Sequence, residues 1–577
     1  MANRQTYQFG SFRLDASGRI LFDRNRAVSL PPKAAETLLV LVQRAGEIVE
    51  KERLLQEVWR DTIVEEGSLT RTVSILRKVL HEGKERRQFI ATVSKKGYRF
   101  VAPVTQMVES PVPSASERVM LAVLPFENLS KTAKQDYFSD GLTEEMIGEL
   151  GRLNPDRMGV IARTSAMKYK GTKKSIGEIG AELGVSYMLE GSVRRGRGRV
   201  RIAAQLIRVS DETHVWSETY DRSLGDILKL QSEVARAIAA QIQVKLTSSQ
   251  QRRHAETAEV APEAYEAYLK GRHLWNRRTE DGMRKSITQY EEAIRHHPEY
   301  ASAYAGIADS HVMLACRGIV PAKETFRKAK VAAEKALLFD SQLGEAHGSL
   351  AHVRLHDWDW EGLEEEFRLA IDLRPTNAII YYWYAEFLMS MGRPDDAVEM
   401  ARCAYRMDPL SPVIAASLAM ILYLARRYDH AVEVLAHAQE IDPDHFLPHM
   451  RMGLVRTQQG EYDDAIRELK TASQLADQST ETKAALAMAY AAAGTRKLAQ
   501  VILRHLQKPE EKRYVLPYNI AKIHAAGGNT EKAFQWLEIA YEGGNPDLIE
   551  LNSEPVFDGM RGDSRFSSLM RRIGWKA

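Results

Sequence analysis

Three patterns of apolar and polar positions follow one another along the 577 residues. In the first, residues 7–30 (YQFGSFRLDASGRILFDRNRAVSL) alternate apolar and polar around Gly10, Ser17-Gly18 and Asn25, which predicts a small antiparallel sheet. Pro31-Pro32 stop the strand, and Pro32 suits the first turn of a helix. AAETLLVLVQRAG, apolar along Leu38, Leu39, Leu41 and Val42, predicts that helix with an end at Gly46. KERLLQEVWRD predicts a second, with Leu54, Leu55 and Val58 inward. Leu69, Val73, Leu76 and Leu80 recur at i, i+4, i+7 and i+11, one apolar stripe on a third helix. Arg71, Ser74 and Lys78 fall opposite that stripe. Two alternating runs, FIATVS and GYRFVA, then meet across Lys95-Lys96-Gly97 and predict a hairpin with a cationic tip.

The second pattern begins after a Pro/Ser-rich stretch, residues 105–118 (TQMVESPVPSASER), which predicts a linker. VMLAVLPF (119–126) predicts a buried strand and GLTEEMIGELGRL (141–153) a helix. GVIART and SIGEIGAELGV repeat the alternation, and YMLEGSVRRGRGRVRIAAQLIRV predicts a long hairpin turning at Gly196-Arg197-Gly198. HVWSETYDR and the amphipathic LQSEVARAIAAQIQVKL close a small α/β domain over 119–250. In the third pattern the phrases YEEAIRHHP, AEKALLFDS, FRLAIDLRP, ARCAYRMDP, LAHAQEIDP and LKTASQLAD end at 298, 341, 375, 409, 443 and 477. The last five ends are 34 apart, and the first gap of 43 implies a loop insertion around Arg317–Glu324. A period of 34 with paired helices is the tetratricopeptide-repeat signature, so residues 260–577 are expected to form an all-α superhelix with a capping helix in FDGMRGDSRFSSLMRRIG. The expected fold is thus multidomain.

Charge sharpens this division. Residues 67–99 hold nine Lys/Arg against Glu82 and Glu85, whereas residues 1–66 carry ten of each sign. Residues 251–577 are net acidic, with 41 basic and 47 acidic side chains. A basic head on an acidic tail fits a chain whose head alone meets nucleic acid. The two cysteines, Cys316 and Cys403, lie in repeat sequence without CxxC spacing, which argues against a disulfide framework. The amino terminus lacks the apolar core of a secretory signal, and the most apolar run, AASLAMILYLA, is short of a membrane span, so a cytoplasmic protein without membrane contact is expected.

RTVSILRKVL followed by IATVSKKGYRFVAPV resembles the recognition helix and wing of the OmpR/PhoB-type winged-helix DNA-binding domain, over about residues 5–104 and with domain bounds 1–104. Arg77-Lys78, Thr92-Val93 and Gly97-Tyr98-Arg99-Phe100 carry the match. The resemblance implies a third helix that reads bases and a wing in the adjacent minor groove. Carried over, the DNA-binding residues are Arg71, Thr72, Ser74, Arg77, Lys78, Thr92, Lys95, Lys96 and Arg99. Ser94 and Ile75 depart from the family pattern, so no operator transfers from a relative. Trp59, where the family has an aromatic near the backbone, reads as core. CadC-like regulators share such a head but place a membrane helix after it. No receiver-like segment precedes the winged helix here, so aspartyl phosphorylation within the chain is not expected. LAVLPFENLS, FSDGLTEEM and YMLEGSVRR resemble the TolB-amino-terminal or FlgO-like module of bacterial regulators and cyclases, with which no specific chemistry goes.

No P-loop, kinase or cyclase signature and no GxSxG elbow is present, so neither an enzyme nor a cofactor is expected. His347, His352 and His356 share one repeat helix, the last pair at i, i+4, but no HExxH or nearby carboxylate completes a set, and no metal is expected. Within Tyr381-Tyr382-Trp383-Tyr384 each ring reads as core rather than ligand contact. The reading is a DNA-binding transcriptional regulator. Its partners would be double-stranded DNA, a protein or peptide in the repeat groove, RNA polymerase and a second copy on DNA. The middle domain and repeats would receive a protein, peptide or small-molecule signal. The rival is a repeat scaffold whose winged helix docks proteins instead of DNA.

Overall fold

A computed structural model describes residues 5–9, 12–15, 20–23, 26–28, 30–58, 66–80, 89–94, 96–102, 104–108, 118–130, 135–155, 157–196, 198–242, 260–476, 479–507 and 514–575. Trp59 and Lys95 lie outside them. The chain divides into two units, Met1–Glu117 and Arg118–Ala577.

In the first unit β1 (Gln5–Phe9), β2 (Phe12–Asp15), β3 (Ile20–Asp23) and β4 (Arg26–Val28) form an antiparallel meander. Three helices follow, α1 (Pro32–Gln43), α2 (Lys51–Val58) and α3 (Glu66–Val79), with β5 (Ile48–Glu50) between the first two. β6 (Ile90–Val93) and β7 (Gly97–Phe100) form the hairpin, and β7 lies between β5 and β6. β8 (Thr105–Val108) then pairs antiparallel with β1, which gives a five-stranded sheet in the order β4-β3-β2-β1-β8. TQMV was expected to open the linker; instead it is drawn into the sheet because β1 offers it a free edge. Phe9, Phe12, Phe89 and Phe100 bind the sheet to the helical core, with Phe9 and Phe100 edge-to-face at 5.0 Å.

The second unit opens with a mixed sheet. β9 (Val119–Val123) lies parallel between β11 (Met158–Val160) and β12 (Tyr187–Gly196). β13 (Arg199–Arg208) and β14 (Thr213–Ser223) extend it antiparallel, while the short β10 (Glu127–Asn128) pairs with β12. α4 (Asp136–Leu153) and α7 (Ile227–Gln241) pack together in the same core, and two shorter helices, α5 (Arg163–Met167) and α6 (Ile176–Leu183), complete the order. Ser175 and Glu178 close a reciprocal capping box on α6, which ends at Gly184 in the left-handed conformation.

Eight helix pairs follow among the described residues, from Pro262–Trp275 with Glu280–His296 to Pro517–Ala526 with Thr530–Glu542. Helices cross closely where the side chain is smallest: a Cβ on Gly453 would lie 2.4 Å from Leu469. The turn inside each pair holds a residue of positive φ. Glycine takes that place at 392, 460, 494 and 528, but Trp358 (φ 58°) and Arg426 (φ 62°) occupy it in register with them. A side chain there costs about 1–2 kcal/mol relative to glycine, and both are used. Trp358 stacks on Tyr541 at 5.1 Å, and Arg426 holds Asp558 at 2.9 and 3.1 Å. These contacts secure the end of the chain. Pro546–Glu550 and Pro555–Met560 form 3-10 turns that pack against the first helices of the pairs, and Tyr423 donates to Glu554 at 2.6 Å. The first helices of several pairs are therefore covered in part by residues 546–560. Ser564–Arg572, within the segment expected to form a cap, is a helix. Among the described residues no helix is long and apolar enough to cross a membrane.

The middle domain is fastened to the repeats by buried polar contacts. Ser165 donates to Asp408 through its hydroxyl at 2.6 Å and its amide at 2.8 Å. Glu144 on α4 receives Arg272, with Nε at 3.0 Å, and Arg163 at 3.2 Å. Burial alone would raise this carboxyl, yet the two guanidinium charges outweigh it and hold the group at about 2.

Candidate nucleic-acid interface

The predicted stripe of α3 is the buried one: Leu69, Val73, Leu76 and Leu80 are all sealed in the core. Arg71, Ser74 and Lys78 stand exposed on the opposite side, spaced i, i+3, i+7 along one line. Beside them the hairpin closes through a Lys96 amide donated to Val93 at 3.0 Å, which leaves Ser94 and Lys96 exposed at its tip with Thr92 on its flank. None of Arg71, Lys78 and Lys96 forms an ion pair with a described carboxylate. A row of cations on a helix beside a cationic loop, unneutralised by any described carboxylate, is what a phosphate backbone binds.

Helix and hairpin are held together by Arg77. Its guanidinium donates to Ile90 O at 2.8 Å and 3.3 Å and to the Thr92 hydroxyl at 2.8 Å, so it spans from the last turn of α3 to β6. β5 supports the hairpin from the other side, pairing Val49 with Tyr98 and Glu50 with Gly97. Gly97 is required there, because a Cβ would meet Val49 O at 2.0 Å. The sequence pattern did not disclose β5. Three residues are too few to show a period, and its signal is only the Ile48-Val49 pair after the turn glycine Gly46.

Residues 25–100 match the family described as "Transcriptional regulatory protein, C terminal". Residues 116–237 match "HilA/YgeH-like transcriptional regulator, second domain". The chain carries an OmpR/PhoB-type winged-helix head on a tetratricopeptide-repeat body. The transcriptional regulator HilA of Salmonella typhimurium is 26% identical over 427 residues, 73% of this chain and 74% of HilA. A Rhizobium meliloti protein provisionally named adenylate cyclase 3 is 41% identical over 194 residues. That alignment spans 33% of this chain and only 32% of the relative, so the chain covers about a third of that protein. Among solved structures, the Klebsiella pneumoniae RstA DNA-binding domain in complex with the RstA box is 30% identical and covers 17% of this chain and 96% of its own, with a TM-score of 0.15.

Within this winged helix the expected contact residues separate into groups. Arg71, Ser74, Lys78, Thr92 and Lys96 share the open side of α3 and the hairpin, while Lys95 lies outside the described residues. Thr72 does not belong with them. It is 8% exposed, and its hydroxyl donates to Ser68 O at 2.9 Å, because it shares the core-facing side of the helix with Val73 and Leu69. Arg77 and Arg99 are half-buried. Arg77 turns its Nε and Nη2 to the hairpin, to Ile90 O and the Thr92 hydroxyl. Arg99 projects from β7 on the face opposite Tyr98 and Phe100, and its Nε is buried without a hydrogen-bond partner among the described residues.

Proposed function

We propose that this chain is a sequence-specific DNA-binding transcriptional regulator, active in the cytoplasm where duplex DNA is found, and not an enzyme. One observation carries this reading: the line Arg71–Ser74–Lys78 beside the exposed hairpin tip, cationic and unpaired among the described residues. Lys78, Lys96 and Lys95 would supply most of the affinity through phosphates, and Arg71 and Ser74 would read base edges in the major groove. The kinship with HilA supports the assignment. The cyclase name belongs to a relative of which this chain covers a third.

The body is proposed to receive the signal. An external peptide in the repeat groove is the weaker form of that idea, because Pro546–Met560 already lies along the first helices of the pairs. A cavity of about 200 Å³ between middle domain and repeats suits a small polar ligand better. Arg163, Arg272, Arg278, Asp309, Glu345 and Arg374 line it. Binding as a dimer or in tandem on direct repeats, and recruitment of RNA polymerase, complete the proposal.

Mapping of bound genomic sites, followed by salt-titrated binding to one such site and to random duplex, tests it. Arg71→Ala is expected to reduce discrimination between the two by about 1–3 kcal/mol. Lys95→Ala with Lys96→Ala is expected to weaken both equally and to flatten the salt dependence. Equal effects of both changes on both duplexes would refute the division of roles. Absence of salt-dependent duplex binding would return the scaffold reading.

A further inference from the structure

Three successive helix pairs send side chains to one point inside the array. Cys316 is the last residue of Ala301–Cys316; His352 and His356 stand one turn apart on Gly344–His356; Glu386 lies on Ala378–Ser390. The Cys316 sulfur and one nitrogen from each imidazole all fall within 4.8 Å of one another. His352 Nε2 and His356 Nε2 are 3.2 Å apart, Cys316 Sγ is 3.8 Å from His356 Nε2, and Glu386 Oε2 is 3.3 Å from His352 Nε2. We propose that Cys316, His352 and His356 bind a divalent cation of the zinc class, with Glu386, beside His352, turning in as a fourth donor when the ion binds.

The distances favour coordination over chance proximity. Around a tetrahedral ion with metal–nitrogen bonds of about 2.0–2.1 Å and a metal–sulfur bond of about 2.3 Å, the nitrogen–nitrogen edge is about 3.3 Å and the nitrogen–sulfur edge about 3.6 Å. The observed edges of 3.2 and 3.8 Å come close to both. Without an ion the one proton between these nitrogens makes an N–H···N hydrogen bond, and a cation would take that proton's place. The rings are also fixed before any ion arrives. His352 stacks on Trp383 at 4.2 Å and 12°, and His356 stacks on Phe326 at 4.9 Å and 15°. His356 Nδ1 donates to Pro546 O at 3.1 Å, the outer hydrogen bond that leaves Nε2 bare for a metal. A thiolate with two imidazoles and a carboxylate suits zinc rather than magnesium or calcium. Binding forms the metal–sulfur bond as the Cys316 thiol loses its proton to solvent.

His347, on the same helix, takes no part. Its Nδ1 meets Glu366 at 2.6 Å and its Nε2 meets Ser341 O at 3.0 Å. The ion would join the second, third and fourth pairs and, through His356 and Pro546, the terminal segment.

The test uses the full chain, stripped with chelator and titrated with Zn(II) and, as a spectroscopic probe, Co(II). One equivalent per chain is expected, with a thiolate-to-cobalt charge-transfer band and the visible bands of tetrahedral cobalt. Cys316→Ser should abolish the charge-transfer band and weaken Zn(II) binding at least about tenfold, while Cys403→Ser leaves both unchanged. Glu386→Gln should shift the visible bands and keep the charge-transfer band. A wild-type chain without that band, or a band lost with Cys403 instead of Cys316, overturns the proposal even if a variant folds poorly.

Discussion

The wing between β6 and β7 and the hairpin between β12 and β13 are alike in sequence: KKGYR in one, RRGRGRVR in the other. Their surroundings differ. In the second hairpin Arg195 is bound by Glu266, which also accepts from Tyr137 at 2.7 Å. Arg199 donates to Asp221 at 2.8 Å, and Arg201 stands directly opposite that aspartate. These charges join the middle domain to the first repeat helix and to β14. In the wing, Lys96 forms no ion pair with a described carboxylate, nor do Arg71 and Lys78 on the adjoining helix. A basic run marks a ligand surface only where the fold supplies no acid to satisfy it. Counting charges does not separate the two cases; asking where each guanidinium or ammonium ends does.

The sharpest way to break this comparison is to reverse charge in both places. Lys78→Glu with Lys96→Glu is expected to lower affinity for any duplex by about a hundredfold or more at moderate salt, read by salt-titrated binding. Arg195→Glu should leave duplex binding intact and instead destabilise the second unit by about 3–5 kcal/mol, read by thermal or denaturant unfolding. DNA affinity falling in both variants would erase the distinction.

Acid offers a second test, confined to the fastened side. The Glu266 carboxyl is raised by burial, but hydrogen bonds from Arg195, Tyr137 and Lys270 outweigh this and hold it at about 2, as Glu144 is held by Arg272 and Arg163. Folded values below the ordinary 4.5 mean that the stabilisation is present above about pH 4.5 and is lost as pH falls toward 2. Hydrogen exchange of Pro262–Trp275 should accelerate across that window, and Glu144→Gln should remove part of the dependence.

Arg77→Ala is expected to cost the head about 1–3 kcal/mol, because it removes charge-assisted hydrogen bonds to Ile90 and Thr92. The affinity loss should then be recovered in part by Arg77→Lys, as a merely groove-reading residue would not allow. The smallest effect belongs to Thr72→Val, within about 1 kcal/mol in stability and without change in DNA affinity. A large loss of binding there would place Thr72 back on the recognition face.

Much of this protein was legible in one dimension. The stripe Leu69–Val73–Leu76–Leu80 fixed which side of α3 faces the core, because helical period and burial are the same statement. The 34-residue period announced the repeats, since each pair must meet an identical neighbour to bury its face. What stayed hidden depends on partners distant in the chain. The family resemblance implied Thr72 as a contact, yet a position at the stripe's border is assigned to core or solvent only by what packs over it. The strand β8 needed β1, a hundred residues earlier, to exist. The two histidines at i, i+4 looked incomplete for want of a nearby ligand, and the ligands came from neighbouring repeats, 36 residues before His352 and 34 after it. Sequence settles whatever is periodic, because periodicity is local. Which charges are left unsatisfied, and which donors converge, is settled only when the superhelix brings one repeat against the next.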